Sequence, residues 1–188
     1  MVMVVISILL WGFVYLPMVQ KFIEDNGDRI VAIIFCGGFT QAKTANGYSE
    51  AYVMSSFITQ DTDERLPDIY LEEDSYTTYY NSKNAVLIIE EILDARQLVA
   101  SGSNEDIRIV IACEATMSAN VMMLARHLMS HLVKEPLDNI TVETASWERA
   151  DPFKQVVNLV YNKLAITFPW LGLAEREERK RIYKAKHQ

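Results

Sequence analysis

Apolar and polar positions along this chain fall into two alternating kinds of segment. Ile30-Val31-Ala32-Ile33-Ile34-Phe35, Ile69-Tyr70-Leu71, Ile107 to Cys113 and Ile140 to Glu143 are short runs rich in β-branched residues. Such runs mark strands buried on both faces. Between them apolar residues recur at helical spacing. Ala51, Met54, Ser55 and Ile58 share a face of a helix over about Ser49 to Gln60. Ala85, Ile88, Ile89, Ile92 and Leu93 do so in a longer helix from Thr77 or Thr78 to about Ala100, and Val121, Leu124, Leu128 and Leu132 in one from Ser118 to Lys134. Pro152 suits the first position of a helix over about Phe153 to Thr167, which ends before Pro169, and the charged tail forms a last helix. Strands alternating with helices at this spacing predict an α/β fold, a three-layer doubly wound sandwich with a mostly parallel, Rossmann-like sheet.

The first nineteen residues, MVMVVISILLWGFVYLPMV, carry no charge and are long enough to span a membrane. They lack the basic start and small-residue cleavage site of a secretory signal. The competing reading is a buried strand over about Val2 to Leu10, then a turn and a helix ending near Asn26. A truncated N-terminus would also account for the segment. The division expected is a hydrophobic N-terminal segment over 1–28, an α/β domain over 29–170 and a charged helix or tail over 171–188. An intracellular soluble protein is preferred to one anchored by a single pass through residues 1–19.

Composition narrows the partners. The 188 residues fit one domain, and a formal net charge of −7 argues against nucleic acid, which needs a basic face. The basic residues of the tail alternate with Glu175, Glu177 and Glu178, as on a solvated helix. Cys36 and Cys113 each end a strand and show no zinc-type spacing. If both strands are central, their sulfurs lie close together at the site mouth.

In open α/β sheets ligands bind beyond the carboxyl ends of the strands. Three segments are expected there: Gly37 to Glu50, Glu72 to Asn84, and a third loop over Glu114 to Asn120 that brings Thr116 and Asn120. Gly37-Gly38 permits a tight turn and close backbone approach to a ligand. Glu50 and Glu72 are a carboxylate pair suited to acid–base work or to binding a metal or amine. Thr40, Ser49, Ser75, Thr77, Thr78 and Asn81 supply hydroxyls and an amide for a polar small molecule, including a phosphate held at a helix N-terminus. Helix capping explains Ser49, Ser75 and Thr77 equally well. There is no GxGxxG fingerprint, Walker loop or GxSxG elbow. His127 and His131 are spaced i,i+4 without an HExxH pattern and read as a surface pair, so no metal site is expected.

The motifs Gly37-Gly38, Ser49-Glu50-Ala51 and Glu72-x-x-Ser75-x-Thr77-Thr78-x-x-Asn81 stand in one order over about Arg29 to Thr144. That order resembles the domain-of-unknown-function family that includes YdcF, SanA and ElyC, with a C-terminal part like that of a eukaryotic or fungal member. The resemblance implies a Rossmann-like fold, a link to the bacterial envelope, a membrane anchor in some relatives, and an S-adenosylmethionine-like nucleotide as ligand. Departures from the pattern are also present. Only Leu10-Trp11-Gly12 stands where the family has an early glycine-rich loop, Tyr80 precedes the box Asn, and Thr116 and Ala119 replace the family's His and Arg.

Two functions follow as expectations. One is a binding protein or enzyme for a polar or nucleotide-like small molecule, with Glu50 and Glu72 catalytic and the Gly-Gly backbone cradling an anion or carbonyl. The other is a non-catalytic structural or interaction protein with a degenerate site.

Overall fold

The computed structural model describes residues 2–7, 16–40, 46–59, 67–96, 106–133, 140–147 and 152–187. Its strands are β1 (Val2–Ser7), β2 (Ile30–Cys36), β3 (Asp68–Glu72), β4 (Ile107–Glu114) and β5 (Ile140–Trp147). Its helices are α1 (Leu16–Asn26), α2 (Glu50–Thr59), α3 (Thr78–Ala95), α4 (Ala115–Leu132), α5 (Pro152–Thr167) and α6 (Leu173–His187). All strand pairs are parallel and the sheet order is β3-β2-β1-β4-β5. This is the expected Rossmann-like three-layer α/β sandwich.

The apolar run at the N-terminus is a strand over Val2–Ser7, and it is the middle strand of the sheet. Met3 and Val4 are fully buried, one on each face. A strand covered on both faces needs no polar alternation, so its sequence looks like that of a membrane helix. No described helix is long and apolar enough to cross a membrane. Residues 8–15, including Leu10-Trp11-Gly12, lie outside the described residues.

Two apolar layers flank the sheet. On one face Met3, Val5, Ile34, Ile109 and Ile111 pack against Val86, Ile89 and Leu93 of α3 and Val121, Leu124 and Leu128 of α4. On the other, Val4, Ile33, Phe35 and Val110 meet Val19 and Ile23 of α1 and Ala51, Met54 and Ile58 of α2. α5 packs on α4, and α6 packs on α5 and α3.

Two boundaries and the placement of the cysteines differ from those expected. α4 begins at Ala115, directly after β4, so Glu114 to Asn120 is not a loop. Asn120 is buried and Ser118 bonds Thr144 at 2.8 Å. β5 extends to Trp147, four residues beyond the strand expected over Ile140 to Glu143. The cysteines are not neighbours, because β1 runs between β2 and β4. Two strand spacings separate their backbones by about 10 Å, and both thiols are buried and free.

The strand sequence ends in register. Ser7 pairs with Cys36, and Cys36 with Glu72. The exits of β1, β2 and β3 therefore open onto one edge. Strand order reverses between β1 and β4, the position where such sheets open a crevice.

Because Met3 sits in the core, Met3→Ala should lower the unfolding free energy by about 2–5 kcal/mol. A urea titration reads this directly; an unchanged midpoint would show that the N-terminal run lies outside the sheet.

Candidate functional site

The site begins where β2 ends. Gly37 adopts φ +152°, and its N–H donates to Glu72 O at 2.9 Å. Gly38 N–H donates to Ser75 O at 2.9 Å. On the other side, Gly38 O and Gly37 O accept from the amides of Glu50 (3.0 Å) and Ala51 (2.9 Å). The two glycines thus join the β3 exit to the first turn of α2. Their side-chain positions are filled by neighbours: a Cβ on Gly38 would lie 2.4 Å from Ser75 O, and one on Gly37 2.8 Å from Glu50 Cβ. An anion cradle requires unspent N–H groups. Both of these amides are committed to backbone carbonyls, so the pair acts as a joint.

Glu72 is the centre of the neighbouring turn. Its buried Oε1 accepts from Asp74 N (3.1 Å), Ser75 N (3.1 Å) and Asn84 Nδ2 (2.9 Å), and its Oε2 from Ser75 Oγ. Ser75 Oγ also meets the Asn81 amide. This is a saturated carboxylate, holding the β3 exit against α3. Its charge and the burial around Cys36 push that thiol well above its ordinary range, burial being the larger cause. A thiol so held stays protonated and is no nucleophile.

Ser49 and Thr77 serve as helix caps. Ser49 Oγ accepts from Tyr52 N at 2.9 Å and donates to Glu73 Oε1 at 2.5 Å. Thr77 Oγ1 accepts from Tyr80 N at 3.4 Å. Thr78 is the first residue of α3 and half-buried.

Glu50 differs from Glu72. It stands in the first turn of α2, only 2% exposed. Among the described residues, Thr40 is the side chain that donates to it. Burial pushes its carboxyl up to about 7, while the Thr40 bond and the positive charge of Arg181 pull it down. A carboxyl at that value holds and releases a proton near neutrality. Tyr48 and Tyr52 lie two residues to either side of it in the chain, both exposed, and their rings stack at 4.7 Å.

The C-terminal helix reaches this region, contrary to the expectation of a solvated tail. Ala174 and Glu178 are buried. Glu178 Oε1 accepts from Tyr76 N at 2.8 Å, just before α3. Burial raises its carboxyl, the nearby Glu72 charge adds to this, and the Thr77 hydroxyl, Tyr76 N–H and Arg181 act in the opposite sense. Tyr161 donates to Leu173 O, tying α5 to α6. Between α3, α5 and α6 lies a cavity of about 220 Å³, lined by Thr77, Thr78, Tyr161, Asn162 and Arg181 among others. The expected set therefore divides. Gly37, Gly38, Thr40, Ser49, Glu50, Glu72, Ser75 and Asn81 gather at the β2 and β3 exits, and Thr77 and Thr78 face the cavity. The side chains of Glu114 and Thr116 lie outside the described residues.

Glu178 and Arg181 escaped the sequence reading because the tail is so rich in charge. Ala174, Glu178, Ile182 and Ala185 nonetheless recur at helical spacing. A glutamate on that otherwise apolar stripe was the available signal. Tyr48 and Tyr52 were also missed, since neither belongs to a motif or an apolar stripe.

Among the described residues no three His, Cys, Asp or Glu side chains gather as metal ligands. No family model, curated protein or solved structure matches this chain.

Two outcomes follow. Gly38→Ala should prevent stable folding or lower the melting temperature sharply, whereas Gly27→Ala, which meets nothing within 4 Å, should not; comparable melts for both would contradict the joint. The second concerns Glu50, whose folded-state value lies above the ordinary 4.5. The folded chain binds this proton more tightly, so stability falls as pH rises from about 4.5 to about 7. Wild type should lose about 2.5 kcal/mol relative to Glu50→Gln between about pH 5 and pH 8. Parallel urea unfolding curves for the two proteins at both pH values would refute this.

Proposed function

We propose that this chain binds a polar or nucleotide-like small molecule at the carboxyl edge of its sheet, with Glu50 as the acid–base or anchoring group. The observation that carries the reading is the state of Glu50. It is a buried carboxyl with Thr40 as its described side-chain donor and a value of about 7. Burial of an ionisable group costs stability, and groups whose proton affinity burial shifts in this way gather at functional sites. The exposed Tyr48 and Tyr52 offer flat faces on which a base could stack. S-adenosylmethionine, the ligand suggested by the resemblance to YdcF, SanA and ElyC, combines a base, hydroxyls and charge in the way this site would use. Glu72 enters as a structural group and not as a second catalytic carboxylate.

A specific observation favours the second reading, a non-catalytic interaction protein. Glu72, Ser75, Asn81 and the amides of Gly37 and Gly38 satisfy one another. A site whose polar groups are spent on itself can be retained for the fold alone.

Thermal melts against S-adenosylmethionine, S-adenosylhomocysteine and a panel of nucleotides separate the two. Ligand at 100 times its Kd stabilises by about 2.7 kcal/mol, a rise of about 5–10 °C for a domain of this size. The proposal expects such a rise for at least one compound, and its loss in Glu50→Gln. No response across the panel supports the interaction protein; a rise unchanged in Glu50→Gln removes Glu50 from the site.

A further inference from the structure

We propose that His127 and His131 form a binding site for a borderline divalent transition-metal cation such as Zn²⁺ at the C-terminal end of α4. The two residues stand one turn apart, and their rings lie 4.2 Å apart between centroids, inclined by 39°. Both imidazoles therefore project side by side from one face of the helix.

The hydrogen bonds fix which nitrogen is available. His131 Nδ1 lies 2.7 Å from His127 O, a carbonyl that only accepts, so Nδ1 carries the proton. Ser130 Oγ also donates to His127 O at 2.8 Å and stands 3.0 Å from His131 Nδ1. The lone pair of the His131 imidazole is then on Nε2. An imidazole oriented by Nδ1–H on a backbone carbonyl, with Nε2 outward, is the arrangement that metal-binding histidines use.

Position adds to this. His131 is in the last turn of an 18-residue helix, where the unpaired carbonyls favour a cation. Its exposure leaves room for water to complete a tetrahedral shell. The absence of an HExxH motif removes a metalloprotease base, since that glutamate is not a ligand. It leaves the pair of imidazoles intact. The site is remote in sequence from Glu50 and independent of the proposed small-molecule site.

Untagged protein applied to Ni²⁺-charged resin tests the pair. Wild type and His187→Ala should be retained until imidazole is added, and His127→Ala and His131→Ala should flow through. As a second reading, Zn²⁺ should raise the melting temperature of wild type, EDTA should reverse the rise, and His131→Ala should melt like wild type in EDTA without responding to Zn²⁺. Passage of wild type through the resin overturns the proposal. So does retention that survives His131→Ala or disappears with His187→Ala, or a Zn²⁺ shift unchanged in His131→Ala.

Discussion

A buried carboxylate with a full set of donors holds the carboxyl edge of this sheet together. Glu72 takes two backbone amides, the Ser75 hydroxyl and the Asn84 amide. Hydrogen bonds to a charged group contribute about 1.5–3 kcal/mol each, and leaving such a group unpaired costs more. Satisfying Glu72 therefore forces the chain after β3 into a turn that delivers Ser75 O to Gly38. Only a residue without a side chain fits against that carbonyl. The same glycines then present their own carbonyls to α2. One saturated acid thereby sets the relative positions of β2, β3, α2 and α3.

That constraint gives Glu50 its place. Its backbone amide is held by Gly38 O, and its side chain fills the space over Gly37. The position is imposed by the joint, and among the described residues Thr40 is the side chain that donates to the carboxyl. The two glutamates are alike in burial and differ in circumstance: Glu72 is spent on the fold, and burial pushes the Glu50 carboxyl up to about 7. α6 carries a third instance, for Glu178 is buried beside the start of α3 and sits in the field of Glu72. A tail that looks solvated by composition thus closes one side of the region.

The fold was legible wherever burial left a simple pattern. Continuous apolar runs announced β2 and β4, and the helical repeat announced α3 and α4. The N-terminal strand was ambiguous because a strand covered on both faces and a membrane helix share one requirement, unbroken apolarity. What decides is the presence of β2 and β4 on either side, which is tertiary information. The start of α4 was misplaced because Glu114, the residue before it, is not a preferred capping type, whereas Ser118, inside the helix, is. In the candidate site, residue types and order were readable, but roles were not. Glu50 and Glu72 both stand at the boundary of a predicted element, and the sequence does not count the donors that each will meet.

The central claim is that Glu72 is structural and Glu50 is the disposable acid of the pair. Melting Glu72→Gln and Glu50→Gln side by side at about pH 8 tests it most directly. Replacing Glu72 turns part of a saturated acceptor into an amide donor facing donors, so its melting temperature should fall sharply. Replacing Glu50 removes a poorly solvated charge, so its melting temperature should hold or rise. The reverse order, with Glu50→Gln the damaging change and Glu72→Gln tolerated, would contradict the account.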